Sequence, residues 1–196
     1  RSPSRGLGDV YKRQVIYTVN PKIPKAMLNT MLEECKSLPF KNSLVNGVGA
    51  VGEVGDVVNY RSSEQCWLCW DHWIAGIMHN IFISANNDFF HYDLDHFDSG
   101  IQVTKYEVGQ EYGYHIDQLP PHKKLPRKLS MSLILNDDFT GGEFEIYNPN
   151  TFKNEIIPTS TGSTIIFPSW VVHRVNPVKS GTRYSLVAWM NGPQFK

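Results

Sequence analysis

The feature that most limits what this chain can fold into is a series of short strand-like runs between Ile101 and Met190. They are Ile101–Glu107, Tyr112–Ile116, Leu129–Asn136, Glu143–Tyr147, Phe152–Ile157, Ser163–Phe167, Val171–Val175 and Arg183–Met190. Turn-forming residues separate them at Gly109, Pro120-Pro121, Asp137 to Gly142, Asn148-Pro149-Asn150, Pro158 to Gly162 and Asn176-Pro177. Gly, Pro and Asn supply backbone angles that a strand cannot continue through. Eight strands this short, spaced this closely, indicate a β-sandwich or barrel, and a double-sheet jelly roll fits.

The N-terminal part reads differently. Arg1 to Gln14 is polar and basic without periodicity, and is expected to be a non-native or disordered leader outside the fold. Val15–Val19 is a short β-like run. Apolar residues at Met27, Leu28, Met31, Leu32, Cys35 and Leu38 then recur at helical spacing, predicting an amphipathic helix over Pro24–Leu38. Ser62 with Gln65 fits a capping box, and a stripe from Trp67 and Trp70 to Ile81 and Phe82 predicts a second helix reaching about Ser84. Cys66-x-x-Cys69 invites a redox or zinc reading, but no second Cys pair exists, and these are expected to be helix residues, some packed and some exposed. Asn86–Gly100 is aromatic and acidic. His91, Asp93, Asp95 and His96 give it the composition of a metal cluster, but an edge strand with polar outer positions fits better. The stretch Ser43–Tyr60 carries Gly47, Gly49, Gly52 and Gly55. Its segment Asn46–Val58 is either a plain linker or a lid. The expected organisation is one domain over 15–196: helical support over 15–85 and a jelly-roll core over 101–190.

Lys plus Arg and Asp plus Glu both number 19, so the formal charge is zero, and nothing points to nucleic acid or an anionic membrane. Three cysteines suit a reducing compartment, and the absence of a signal peptide or long apolar run leads to a cytoplasmic expectation.

The chemistry concentrates around Tyr112-Gly-Tyr-His-Ile-Asp117. His115 and Asp117 are two apart, which on a strand places both on one face. His173 lies on a later strand-like run. Two His and one carboxylate on one face of a metal leave positions open, the ligand pattern of non-haem Fe(II) oxygenases. Arg183 follows ten residues after His173, and its guanidinium can grip a carboxylate at two points.

The ordered series His115-x-Asp117, His173 and Arg183 resembles the Fe(II)/2-oxoglutarate-dependent dioxygenases, and within them the prolyl-4-hydroxylase-like branch. Tyr106-x-x-Gly-x-x-Tyr112, Arg127-x-Leu-Ser-x-Ser-Leu-Ile-Leu-Asn136, Gly141-Gly-Glu-Phe and Gly162-x-x-Ile-Ile-Phe-Pro168 carry the same resemblance, which spans Ile101 to Trp189. It implies a mainly β fold: a double-stranded β-helix, or jelly roll, with two supporting α-helices. It implies Fe(II) held by His115, Asp117 and His173, and 2-oxoglutarate with its remote carboxylate on Arg183, bordered by Tyr106 and Trp189. O2 is the cosubstrate, and ascorbate is a possible stimulant. Arg127, Tyr112 and Tyr114 are the expected substrate-facing residues. The implied reaction is hydroxylation, foremost prolyl 4-hydroxylation of a proline-containing protein or peptide. The alternatives are another residue, a small molecule, or a metal-binding β-barrel module without turnover. One departure stands out. Oxygen-sensing prolyl hydroxylases have a tyrosine near the position of Ile134 as a second partner for the 2-oxoglutarate carboxylate, and this chain offers only Ser132 and Thr182 as hydroxyls.

Overall fold

The computed structural model describes residues 15–43, 61–98, 100–118 and 125–194. The expected leader and the segment Asn46–Val58 lie outside the described residues. In chain order the elements begin with β1 (Tyr17–Val19), α1 (Lys25–Lys36), β2 (Lys41–Asn42), β3 (Arg61–Ser62), β4 (Glu64–Leu68) and α2 (Trp73–Ala85). There follow β5 (Ile101–Tyr106), β6 (Glu111–His115), β7 (Arg127–Ile134), β8 (Thr140–Gly141) and β9 (Phe144–Asn148). The last are β10 (Lys153–Ile157), β11 (Thr164–Pro168), β12 (His173–Val175), β13 (Val178–Ser180) and β14 (Arg183–Asn191).

Two antiparallel sheets result, and neither closes on itself. The larger runs β1-β11-β7-β14-β5-β4-β2, the smaller β10-β9-β12-β6-β3, and β13 with β8 makes a separate ribbon. This is the jelly roll with two supporting helices that the strand spacing and the family resemblance predict. A strand within each of the eight expected runs supports the period-two reading.

The larger sheet is buried on both faces, and its residues sort by parity. Leu129, Met131 and Leu133 of β7, with Leu186, Ala188 and Met190 of β14, meet Leu28, Met31 and Cys35 of α1 and Ile74, Met78 and Phe82 of α2. Each such side chain fully buried contributes about 1.5–3 kcal/mol over exposure, so packing rather than helix propensity holds α1 and α2 in place. The opposite parity of the same strands carries Ser130, Ser132, Arg183, Ser185 and Trp189, all buried. A second apolar cluster, including Tyr106, Phe144, Ile146, Ile165 and Phe167, fills the space between the sheets. Buried hydroxyls and a guanidinium on an inner sheet face mark the side that serves something other than packing.

Three local expectations need correction. The second helix does not start near Ser62. Gln65, Cys66 and Trp67 pair with Thr104, Val103 and Gln102 in β4, and α2 begins only at Trp73. There His72 is the N-cap, its Nδ1 accepting the Ile74 N–H at 3.4 Å. Cys66 and Leu68 are buried and Trp67 is exposed, a period-two pattern that a short apolar run hides within a helical stripe. Cys66 is therefore a strand residue, and Cys35, Cys66 and Cys69 are free. Burial pushes the Cys35 thiol up to about 12 and Cys66 to about 11, so both are inert.

Asn86–Gly100 is not an edge strand. It begins with a π-helical turn, Asn86–Phe90, closed by His91 at φ 55°, and meets β14 through an isolated bridge, Phe97 to Met190, flanked by backbone bonds of Asp95, His96 and Asp98 to Asn191 and Trp189. The Asn86 side chain bonds both the N–H and the C=O of Tyr92, occupying groups a ladder would need. The first helix spans Lys25–Lys36, slightly shorter than expected, with Pro24 at its N-cap. Among the described residues no helix is long and apolar enough to cross a membrane.

Candidate active site

The site sits where β6 meets β12. His115 ends β6, His173 opens β12, and the two are direct partners across the smaller sheet. Asp117 lies just beyond β6, its backbone N–H donating to the Ser169 carbonyl at 2.9 Å. Each histidine is oriented by its own loop: His115 Nδ1 bonds the Gly113 carbonyl at 2.8 Å and His173 Nδ1 the Val171 carbonyl at 2.9 Å. A carbonyl only accepts, so both Nδ1 atoms carry the proton and each Nε2 presents its lone pair as a ligand atom.

Those lone pairs converge on Asp117. His115 Nε2 is 3.6 Å from Oδ1 and His173 Nε2 is 3.6 Å from Oδ2. Such distances are too long for hydrogen bonds. They suit three ligands about 2.0–2.2 Å from a shared cation. The ligand atoms all lie within 4.8 Å of one another, and no other such group of three occurs among the described residues. The acidic stretch around His91 and His96 therefore assembles no second centre there.

Aromatic packing holds the rings. Tyr112 stacks on His115 with centroids 3.5 Å apart, and Phe167 meets His173 edge-on at 4.6 Å. Burial, then His173 beside it, lowers the His115 pKa from 6.5 to about 3, so the ring stays neutral and available as a ligand. Burial alone would raise the Asp117 carboxyl. His173, His115 and the hydroxyl of Ser130 outweigh it and hold the group below its usual range, as an anion. The Trp189 indole N–H also favours that anion, though it makes no hydrogen bond of good geometry.

The metal-type triad lines a cavity of about 150 Å³ together with Arg183, Tyr106, Tyr112, Trp189, Arg127 and Ser132. Arg183 is only 2% exposed. Its Nη1 donates to Ser185 Oγ at 2.8 Å, and its guanidinium lies 5.5 Å from the Tyr106 ring centre. No carboxylate pairs with it among the described residues. Burial lowers its pKa, with Tyr106 opposing, yet an arginine keeps its charge. A buried cation without an anion is costly unless a ligand supplies one. Gly142 makes room for it: at φ 63° a Cβ there would stand 3.0 Å from Arg183 Cδ.

Of the nine residues singled out from the sequence, eight line this cavity. Tyr114 does not: it faces the outer side of the smaller sheet and donates to Glu145. Tyr112 and Tyr114 would share a face in a regular strand. A register shift between the pairs His173–His115 and Val175–Tyr112 turns Tyr112 inward instead. Arg127 is at the wall, but Asp98 binds its Nε at 2.8 Å and its guanidinium stacks 3.7 Å over Trp189. Ser132 lines the cavity, whereas Thr182 does not. The sequence reading missed Arg61, Trp67, Gln102, Thr104 and Ser185. The available signal was polar residues at alternate positions of otherwise apolar strands, as in Gln102-Val103-Thr104.

The 2OG-Fe(II) oxygenase superfamily profile matches residues 101–191, the stretch that contains the triad and Arg183. This stretch is similar in sequence to the 2OG-Fe(II) oxygenase superfamily. A PKHD-type hydroxylase of Psychrobacter sp. (strain PRwf-1) is 39% identical over 94 residues, covering 44% of this chain and 36% of the relative. The chain thus matches well under half the length of such relatives. In solved structures the oxygenase fold recurs in a viral collagen prolyl hydroxylase of Paramecium Bursaria Chlorella virus-1 in complex with 2OG. That structure has a TM-score of 0.67 at 19% identity, over 93% of this chain and 99% of that one. A prolyl hydroxylase from Trichoplax adhaerens, in complex with a hypoxia inducible factor peptide fragment, gives 0.70 at 19% identity, over 90% and 83%.

Proposed function

We propose that the chain is an Fe(II)- and 2-oxoglutarate-dependent hydroxylase acting on a proline-containing protein or peptide. The observation that carries this reading is Arg183, a buried guanidinium without a carboxylate partner, in the cavity that the His115, Asp117 and His173 triad also lines. A module that only held a metal would have no use for that cation. The peptide substrate rests on likeness: the Trichoplax relative binds a peptide fragment, and the superfamily neighbours include prolyl hydroxylases.

His115 and His173 would hold Fe(II) through Nε2 and Asp117 through its carboxylate. When bound with 2-oxoglutarate, the metal supplies O2-driven oxidation that converts 2-oxoglutarate to succinate and CO2 and hydroxylates a C–H bond. The chain's own part is placement. Arg183 and the Ser132 and Ser185 hydroxyls offer donors to the remote carboxylate of 2-oxoglutarate, and Tyr106 borders it. Phe144, Phe167 and Trp189 exclude water and fix the rings. Tyr112, Arg61, Trp67 and Arg127 form the remaining wall toward substrate. We read 15–196 as one domain, because the helices and the larger sheet share one apolar core. The free thiols fit a cytoplasmic setting.

Succinate release with Fe(II), 2-oxoglutarate and O2, measured over a panel of proline-containing peptides, tests the reading. At least one peptide should raise succinate stoichiometrically with its own gain of one oxygen. Succinate formation that no proline peptide stimulates would move the substrate to another residue or a small molecule. No succinate under any condition would remove the enzymatic reading.

A further inference from the structure

We propose that Glu145, on the outer face of the smaller sheet, is a positioning residue that sets the spacing of the two histidine ligands. The inference rests on the metal-site reading above and extends it to a residue outside the cavity.

Pairing between the two ligand strands is weak. β6 meets β12 through only two residue pairs, His115 with His173 and Tyr112 with Val175, with a register shift between them. A bulge breaks the regular ladder of hydrogen bonds. Because side chains alternate along a strand, the residues next to the ligands, Tyr114 and Arg174, stand on the opposite face. Both reach Glu145 of β9. The Tyr114 hydroxyl donates to Oε1, and Arg174 Nη2 donates to Oε1 at 3.0 Å and Oε2 at 2.8 Å. Asn176, just past β12, adds Nδ2 to Oε2 at 3.0 Å. The Arg174 guanidinium also lies 4.6 Å from the Tyr114 ring centre.

Glu145 is 5% exposed, so its charge is withdrawn from water and met by donors from both ligand strands. Such charge-assisted bonds are stronger and more directional than neutral ones. Tyr114 is covalently next to His115 and Arg174 next to His173, so drawing the two donors onto one carboxylate fixes the approach of the two rings behind them. Partners that orient ligands without touching the metal commonly change affinity about 10–100-fold.

The test is Co(II) binding to the metal-free protein, followed by titration and by the visible spectrum of the bound ion. Glu145→Gln keeps the shape, but one oxygen becomes a donor facing donors. Its Co(II) Kd should rise about tenfold, with an altered spectrum. Glu155→Gln, whose carboxylate bonds only Asn148 and Thr151 in the neighbouring hairpin, should leave both unchanged. Tyr114→Phe removes one donor with little loss of packing, and should raise Kd about two- to threefold even if Glu145→Gln folds poorly. A wild-type Kd and spectrum in both variants, with only a lower Tm, would make the cluster merely structural and overturn the proposal. A wild-type protein that binds no Co(II) would overturn the metal-site reading itself, and this inference with it.

Discussion

Asp117→Ala should reduce turnover on the order of a thousandfold, about 4 kcal/mol of lost transition-state stabilisation, while leaving the circular dichroism spectrum native. The carboxylate is the one anionic ligand and faces both imidazoles, so its loss leaves two neutral donors that cannot hold a divalent cation well. The fold has little stake in it. The core of α1, α2 and the larger sheet lies on the other side of β7 and β14, and the Asp117 backbone bond to Ser169 survives the substitution. Full activity in the purified variant would remove Asp117 from the site. Lost activity with a collapsed spectrum would assign it a structural role.

Arg183→Lys should raise the Michaelis constant for 2-oxoglutarate roughly 10–100-fold, about 1.4–2.8 kcal/mol, with metal affinity nearly unchanged. Lysine keeps a charge but has no planar fork for a carboxylate, and it cannot both bond Ser185 and present two parallel donors. Burial also favours its neutral form more than it does arginine's. Equal changes in metal and 2-oxoglutarate affinity, or no change, would separate Arg183 from the cosubstrate.

Much of this was readable in advance because it depends on local pattern. β14 was marked by an uninterrupted run from Arg183, whereas Asp117 falls just past the end of β6 and not on the strand that the two-residue spacing assumed. What failed needed partners distant in sequence. Trp67 belongs to a helical stripe by spacing, but β5 offers an open edge, and pairing Cys66 with Val103 outweighs a helix that could begin later at Trp73. Tyr112 lines the cavity and Tyr114 does not, and the β6 register shift behind this becomes visible only once β12 is alongside. Glu145 lies inside the strand-like run Glu143–Tyr147, and its burial follows from Tyr114 and Arg174 converging on it from two other strands.

In the proposed function one cavity binds a metal through His115, Asp117 and His173 and a dicarboxylate through Arg183. Calorimetric titration of 2-oxoglutarate into wild-type protein, with and without Mn(II) in place of Fe(II), tests it most directly. The expected result is one-to-one binding that requires the metal and weakens about tenfold or more in Arg183→Lys. Absence of 2-oxoglutarate binding to the Mn(II)-loaded wild type, or binding that Arg183→Lys leaves untouched, would contradict the account.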